Sequence, residues 1–255
     1  MLGDPAFLDP HCSAGTLDLF VARRSILQAL RRQLPRFTGT VLDVGCGVMP
    51  YQPLFWTPLS RVSMYIGLDL PNSGYPQVPD VLWDGQRIPL REASVDGAIA
   101  TELFEHCSDP GLVMREVQRV LKPGGILFFS VPFLWPLHCV PHDEYRYTPF
   151  ALERLLRSAG YAEVELTALG GWDASLAQMI GLWARRRPMV ERRRRILSVL
   201  ALPFVRLLAG RDQLPPVFDE GCMITGIAGV ALKRGIASAY PPAQLWPRRQ
   251  GNTPC

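Results

Sequence analysis

The spacing of apolar and polar positions along the chain predicts helices that alternate with strands. Residues 17–34 read as a helix, because Phe20, Leu27, Leu30 and Leu34 fall on one face. Seven short runs rich in apolar residues predict strands: residues 40–44, 64–70, 80–84, 95–103, 126–133, 162–169 and 224–232. This alternation is typical of an α/β protein with a mainly parallel sheet.

Two further helices carry start signals. Asp109 and Thr148 are capping residues, and each is followed by a proline at the first helical position. Residues 123–125 (PGG) are expected to stop the first of these helices before the strand at residues 126–133. That strand is almost wholly apolar, as a central strand covered on both faces would be.

Residues 175–221 interrupt the alternation between the last two predicted strands. We interpret them as a helical, arginine-rich insert in a core formed by residues 1–174 and 222–235, with Pro203 breaking the apolar run at residues 196–205. The remaining residues, 236–255, are rich in proline and are expected to form a disordered tail.

The net charge of +4 resides in that insert, since residues 184–195 hold seven arginines and one glutamate. The rest of the chain is nearly neutral, so no nucleic-acid partner is expected. Three interpretations of the arginines at residues 185–195 stay open: a solvated helix face, an amphipathic element on anionic lipid, or a lid over an acidic acceptor.

Cysteine usage and the N-terminal sequence favour a cytoplasmic protein, with peripheral membrane contact as an option. The six cysteines form no CxxC pair and are scattered, which argues against a zinc site or a disulfide framework. The N-terminal residues lack a signal-peptide pattern, and no stretch of about 20 apolar residues is present.

The strongest chemical signal is the strand and turn at residues 41–47 (VLDVGCG). Glycines at the end of a buried strand let a ligand approach the backbone, although a plain glycine turn is the alternative. A dinucleotide site would need a third glycine where this chain has Pro50. Asp69, 22 residues after Gly47, suits ribose hydroxyls. Together these features favour a nucleoside-bearing ligand without a pyrophosphate.

The motifs VLDVGCG, YIGLDL, SVDGAIATELFEH and REVQRVLKPGGILFFSVP, in this order over about residues 40–169, resemble the class I S-adenosylmethionine-dependent methyltransferases. Residues 138–147 are also similar to a bacterial subgroup associated with sugar or envelope metabolism. The resemblance implies a Rossmann-like α/β fold. Its seven-stranded sheet would have the order 3-2-1-4-5-7-6, an antiparallel last strand and helices on both faces. It also implies S-adenosyl-L-methionine as the cofactor.

The resemblance assigns cofactor-binding roles to matching positions. The methionine part would lie against the turn, the ribose hydroxyls against one carboxylate, and the adenine against the end of the second and third strands. Glu102 would stand at the junction of cofactor and substrate. The full set is Asp43, Gly45, Cys46, Gly47, Asp69, Leu70, Asp84, Gly85 and Glu102. The sequence departs from the family motif at residues 48–50 (VMP), where a third glycine is common.

Candidate residues for catalysis follow the fourth and fifth strands. His106 and His142 are the candidate general bases, although His106 could instead bond a loop carbonyl, and Glu102 is included with them. His138 and Tyr145 are candidate substrate contacts. The loop that follows the fifth strand also offers metal-ligand types, His138, His142, Asp143 and Glu144, but we expect no metal.

We therefore expect a methyltransferase acting on a small-molecule or glycan-like acceptor, with oxygen as the methylated atom. The alternative is a catalytically inactive, methyltransferase-like cofactor-binding or interaction protein. A dehydrogenase is disfavoured by Pro50.

Overall fold

The computed structural model describes residues 5–58, 60–71 and 73–235. The strands are β1 (Thr38–Val44), β2 (Arg61–Asp69), β3 (Val81–Leu82), β4 (Val95–Thr101), β5 (Leu121–Pro132), β6 (Tyr161–Ala168) and β7 (Gly226–Lys233). The helices are α1 (Pro5–Leu8), α2 (Leu17–Gln33), α3 (Pro110–Val120), α4 (Pro149–Ser158), α5 (Trp172–Arg186) and α6 (Glu191–Arg211).

All seven strands form one sheet in the order β3-β2-β1-β4-β5-β7-β6. The strands from β3 to β5 in this order pair in parallel, whereas β7 is antiparallel to both β5 and β6. This confirms the Rossmann-like fold that the family resemblance implied. The carboxyl ends of β1, β2, β4 and β5 consequently lie at one edge of the sheet, which is where ligands bind in open α/β proteins.

Helices cover the sheet on both faces. Leu42, Leu127 and Phe129 belong to a core on one face that includes residues of α3 and α4. Val41 and Phe128 point into a second core that includes residues of α2. Because adjacent residues of β1 and of β5 enter opposite cores, residues 41–42 of β1 and 126–129 of β5 are apolar in succession, as expected for central strands.

The predicted helix starts are confirmed by their hydrogen bonds. Asp109 Oδ1 accepts from the Leu112 amide at 2.9 Å at the start of α3. Thr148 Oγ1 accepts from the Ala151 amide at 3.3 Å at the start of α4. Each bond satisfies one of the amides that the first helical turn leaves without a partner.

Among the strand boundaries that differ from the prediction, three have a clear structural reason. β5 begins at Leu121, before the PGG sequence, because Leu121 is buried and pairs with Val95 of β4. A register shift between Val95 and Gly97 accommodates the extra residues of β5 between Leu121 and Ile126. β4 ends at Thr101, since the next residue has a positive φ. β3 is only two residues long, and the Asp80 side chain accepts from the β2 backbone at Gly67, at 2.7 Å, where a longer β3 would have paired.

The segment between β6 and β7 forms a helical hairpin of α5 and α6 that packs against α2. The prediction that Pro203 breaks the apolar run is wrong, because α6 continues through it. The proline is exposed, and Ala201 and Val205 on either side of it are buried in a core shared with α2 and α5.

Two residues of the arginine-rich segment contact helix α2. Arg186 Nε donates to the buried carboxylate of Asp18 on α2 at 2.6 Å, and Arg185 lies 3.6 Å from the same carboxylate. These two arginines therefore hold α5 against α2, although the Arg186 side chain is still about half exposed (51%). Within the described residues, no helix is both long and apolar enough to cross a membrane. The predicted tail, residues 236–255, lies outside the described residues.

Candidate active site

The turn after β1 has the geometry that its glycines permit. Gly45 and Gly47 have φ of 68° and 51°, and the Gly45 amide donates to the Leu68 carbonyl at 2.8 Å. A Cβ on Gly45 would lie 2.6 Å from Leu103 Cδ1, and one on Gly47 would lie 3.2 Å from the Tyr75 ring. Both positions therefore favour glycine, and Gly45 most strongly because of its contact with Leu103. A short 3₁₀ turn, Gln52–Trp56, follows in place of the α-helix that opens a dinucleotide site.

Asp69, at the end of β2, is tied to this turn. Its Oδ2 accepts from the Gly47 amide at 2.8 Å, and its Oδ1 accepts from the Leu70 amide at 2.7 Å. A carboxylate offers about four acceptor positions, so two remain for ligand hydroxyls. The side chain is largely buried, which fixes its direction.

Asp43 and Cys46 support the turn from the protein interior. Asp43 is buried and its Oδ2 accepts from the Tyr65 hydroxyl at 2.6 Å. Burial raises the pKa of Asp43 to about 7. The Cys46 side chain is also buried and faces Gly67 of β2. These two residues therefore hold the turn in place through side chains directed into the core.

Leu70, Asp84 and Gly85 come together beyond β2 and β3. An open groove of about 610 Å³ is lined in part by Leu70 and Asp84, and Leu70 Cδ2 would lie 3.5 Å from a Cβ on Gly85. Asp84 Oδ1 accepts from the Gln86 and Arg87 amides at 2.8 Å. These backbone hydrogen bonds lower the pKa of Asp84. The structure thus places a groove where the resemblance implied adenine.

Glu102 joins the ends of β4 and β5. Its φ is 51°, uncommon for a residue with a Cβ. Its amide donates to the Ser130 carbonyl at 2.9 Å, and Ser130 Oγ donates to Glu102 Oε1 at 2.8 Å. Burial raises the pKa of Glu102. This conformation, held by Ser130, turns the chain at the end of β4.

His106 has a defined tautomer. Its Nδ1 lies 2.8 Å from the main-chain carbonyl of His142. A carbonyl oxygen can only accept, so Nδ1 carries the proton and Nε2 of the neutral ring has a free lone pair. The His106 and His138 rings lie edge to face, with centroids 4.6 Å apart.

His138 is oriented by a charge pair in the loop that follows β5. Asp143 accepts from both terminal nitrogens of Arg146, at 2.7 and 2.8 Å, and its Oδ2 lies 3.2 Å from His138 Nδ1. The arginine hydrogen bonds hold the pKa of Asp143 far below its ordinary value, while burial lowers the pKa of His138. His138 therefore donates through Nδ1 to an ionised carboxylate.

The other two candidates in this loop are more exposed. The His142 side chain is exposed, and its contribution to the cluster is its backbone carbonyl. The Tyr145 ring stacks on Tyr147 with centroids 5.4 Å apart, and its hydroxyl donates to the Ser108 carbonyl at 3.3 Å.

Glu105 is a buried acid that the sequence analysis did not single out. Its side chain is fully buried, and neither carboxyl oxygen has a hydrogen-bond partner among the described residues. Burial, reinforced by nearby Glu102, raises its pKa well above the ordinary value. Its Oε1 lies 3.7 Å from His106 Nε2. In the sequence, only its position beside His106 pointed to Glu105, because a local residue pattern does not show whether a side chain is buried.

His106, His138 and Cys139 each offer a donor atom within 4.8 Å of the others. This group provides three donors, one fewer than the four protein ligands of a closed structural zinc site. The expectation that no metal binds stays a prediction.

The comparisons with known proteins agree with the topology and the turn. A sequence profile described as "Methyltransferase domain" matches residues 42–129, from β1 into β5. Over these residues the chain matches a methyltransferase domain, in agreement with its resemblance to the class I S-adenosylmethionine-dependent methyltransferase family. The matched region contains the turn, Asp69, Asp84 and Glu102. S-Adenosylmethionine is the cofactor of this family, as the resemblance implied.

Curated relatives of this chain match over part of their length. A malonyl-[acyl-carrier protein] O-methyltransferase from Yersinia pestis is 36% identical over 95 residues, which are 35% of each protein. The methyltransferase GfsG from Streptomyces halstedii is 32% identical over 138 residues, covering 49% of this chain and 46% of the relative. The chain thus spans about a third to a half of these relatives.

Solved structures share the fold of this chain. A SAM-dependent methyltransferase from Archaeoglobus fulgidus aligns with a TM-score of 0.52 at 18% identity, covering 85% of this chain and 94% of that one. The [4+2]-cyclase SpnF aligns with a TM-score of 0.51 at 18% identity, covering 85% and 84%. At these identities the likeness concerns the fold alone.

A larger groove, of about twice the volume of the one beside Leu70 and Asp84, lies elsewhere on the protein. It has a volume of about 1410 Å³ and is lined by residues of α4 and β6 and by residues 215–220. None of the candidate site residues lines it. The position of the candidate site therefore follows from where the strand ends converge and not from the size of a groove.

Proposed function

We propose that this protein transfers the methyl group of S-adenosylmethionine to a hydroxyl oxygen of a small-molecule or glycan-like acceptor. The observation that carries the proposal is the fixed tautomer of His106, whose Nδ1 donates to the His142 carbonyl at 2.8 Å. Its Nε2 can accept a proton at the edge of the sheet where the methyltransferase motifs end. A hydroxyl nucleophile gains from such a base.

The residues at this edge fit the cofactor. The two remaining acceptor positions of Asp69 would take the ribose hydroxyls. The backbone of Gly45 and Gly47 would admit the methionine part, and the groove beside Leu70 and Asp84 would take the adenine. The bound cofactor supplies an electrophilic methyl group on its sulfonium.

The chain's own residues then align the acceptor and remove its proton. We assign the general base to His106, because its lone pair is fixed, whereas His142 is exposed. His138, held by Asp143, is assigned to orient the acceptor, together with Tyr145. Glu102 joins the two halves of the site through Ser130. Alignment of acceptor and methyl group can supply much of the rate enhancement.

The main alternative is a methyltransferase-like protein that binds the cofactor but does not turn it over. The likeness in fold to the [4+2]-cyclase SpnF supports this alternative, because a fold does not fix a reaction. The names of the relatives also leave the methylated atom open, since they include an O-methyltransferase and a C-methyltransferase.

The proposal is tested in two stages. Calorimetry should show binding of S-adenosylmethionine and S-adenosylhomocysteine, and no binding of NAD. Methyl-labelled cofactor is then incubated with panels of hydroxylated small molecules and saccharides, and the product linkage is determined by mass spectrometry. Cofactor binding without NAD binding supports the family role. Label on a nitrogen or carbon atom would overturn the assignment of oxygen.

A further inference from the structure

Helices α5 and α6 bury small and polar residues and expose large apolar ones. The buried residues of α5 include Ala174, Ser175, Ala177, Gln178 and Ala184, and those of α6 are Ser198, Ala201 and Val205. The exposed apolar residues, each 47–66% exposed, are Trp172, Leu176, Met179, Trp183, Ile196, Val199, Leu200, Phe204 and Leu207. A helix that faces water on its outer side has the opposite pattern.

The exposed residues form regular stripes. On α5, Trp172, Leu176, Met179 and Trp183 follow one another at steps of four, three and four residues, which keeps them on one helical face. Residues 174–184 and 196–205 contain no charged side chain. We call the exposed apolar residues of α5 and α6 the outer hairpin face.

The hairpin is firmly attached to the rest of the protein. Arg186 pairs with Asp18 of α2, and the Asp212 carboxylate accepts from the Ala174 amide near the start of α5 at 2.8 Å. A Cβ on Gly181 would collide with the Leu17 carbonyl, so α5 lies directly against α2. The outer hairpin face is therefore a preformed surface.

Positive charge borders this face where the helices meet. Arg192 and Arg193 are exposed, and neither forms an ion pair with any residue that the structure describes. The Arg187 guanidinium lies 4.3 Å from the centre of the Trp183 ring. Over residues 172–211 the hairpin holds nine arginines against two acidic residues.

We propose that the outer hairpin face docks on an anionic lipid surface. Large apolar side chains would enter the region between headgroups and acyl chains, and the arginines would contact lipid phosphates. Trp172 and Trp183 suit this depth, because tryptophan favours the boundary between membrane and water. Charge complementarity favours a lipid surface over a second copy of the chain, since two copies would bring their arginines together.

Vesicle binding tests the proposal without any methyl transfer. The protein should sediment with phosphatidylglycerol-containing vesicles at low salt, detach as salt rises, and bind pure phosphatidylcholine vesicles much less. Brominated lipids should quench its tryptophan fluorescence, and Trp172→Phe/Trp183→Phe should lose most of that quenching.

Matched variants separate the two contributions. Leu200→Gln/Phe204→Gln should reduce vesicle binding at least tenfold, whereas Met64→Gln, at an exposed apolar residue of β2, should not. Arg192→Gln/Arg193→Gln should weaken binding about thirtyfold, at about fivefold per arginine. Arg91→Gln/Arg154→Gln, which removes two exposed arginines elsewhere, should have little effect.

Two results would overturn the proposal. One is the absence of binding to anionic vesicles at low salt. The other is a dimer, seen by light scattering without lipid, that Leu200→Gln/Phe204→Gln converts to a monomer. Because these variants leave the methyltransferase motifs intact, S-adenosylmethionine titration of the same samples tests the cofactor proposal separately.

Discussion

Nδ1 of His106 donates a hydrogen bond to the main-chain carbonyl of His142 at 2.8 Å. The bond joins a residue just after β4 to the loop that follows β5. Since the hydrogen-bond acceptor is a backbone carbonyl, replacing the His142 side chain leaves this hydrogen bond in place. The two candidate bases named from the sequence can therefore be distinguished by substitution.

His106→Ala should lower turnover about 10²–10⁴-fold, the usual contribution of a general base. His142→Ala should lower it less than tenfold, because its carbonyl still orients His106. Both are measured as the rate of methyl transfer from labelled cofactor to the hydroxyl acceptor found by screening. Cofactor affinity should be unchanged in both variants. Equal losses in the two variants would contradict the assignment of His106.

Asp69→Ala should weaken binding of S-adenosylhomocysteine by about 1.5–3 kcal/mol, the range for hydrogen bonds to a charged group. Isothermal titration measures the change. Asp69→Asn keeps one acceptor oxygen and should lose less. Because Asp69 also accepts from the Gly47 and Leu70 amides, thermal unfolding of each variant must accompany the titration. Unchanged affinity in folded Asp69→Ala would place the ribose elsewhere.

The sequence was most informative where local signals decide structure. The caps at Asp109 and Thr148 and the glycines at positions 45 and 47 are each determined by a few neighbouring residues. The strand order came from the family resemblance, because pairing between distant strands leaves no local pattern. The continuation of α6 through Pro203 depends on packing against α2 and α5, which outweighs the local cost of proline.

The candidate site was predictable by residue type but not by role. The ends of β4 and β5 were expected to converge, yet nothing in the sequence distinguished His106 from His142 or showed that Glu105 is fully buried. These distinctions depend on contacts between segments about 36 residues apart, as in the bond from His106 to His142. The pairing of Arg146 with Asp143, three residues apart, was visible as a charge pattern but was not recognised.

Gly45→Ala should damage cofactor binding more than backbone strain alone explains. The position has a positive φ, and a Cβ would lie 2.6 Å from Leu103 Cδ1. Gly74→Ala is the matched control, because Gly74 has a φ of 80° but nothing within 4 Å of the added Cβ. Both variants should lose roughly 1–2 kcal/mol of stability to strain. Only Gly45→Ala should also weaken S-adenosylhomocysteine binding in calorimetry, and equal binding by both would contradict the role of the turn.

The last prediction concerns Asp43 and the pH dependence of stability. Burial raises its pKa in the folded protein to about 7 from an ordinary value of 3.8. The folded state therefore holds a proton more tightly than the unfolded state does. The resulting stabilisation is full below pH 3.8 and is lost as the pH rises through about 7.

Asp43→Asn cannot ionise and should lack this loss. The free energy of unfolding of the wild type, relative to Asp43→Asn, should fall by at most about 4 kcal/mol between the two pKa values. Urea unfolding at a series of pH values measures the difference. Tyr65→Phe removes the hydroxyl that donates to Asp43 at 2.6 Å and favours the carboxylate. In this variant the folded-state pKa of Asp43 should be higher, so the loss of stability should extend to higher pH and be larger in total. A difference between wild type and Asp43→Asn that does not vary with pH would show that folding does not raise the pKa of Asp43.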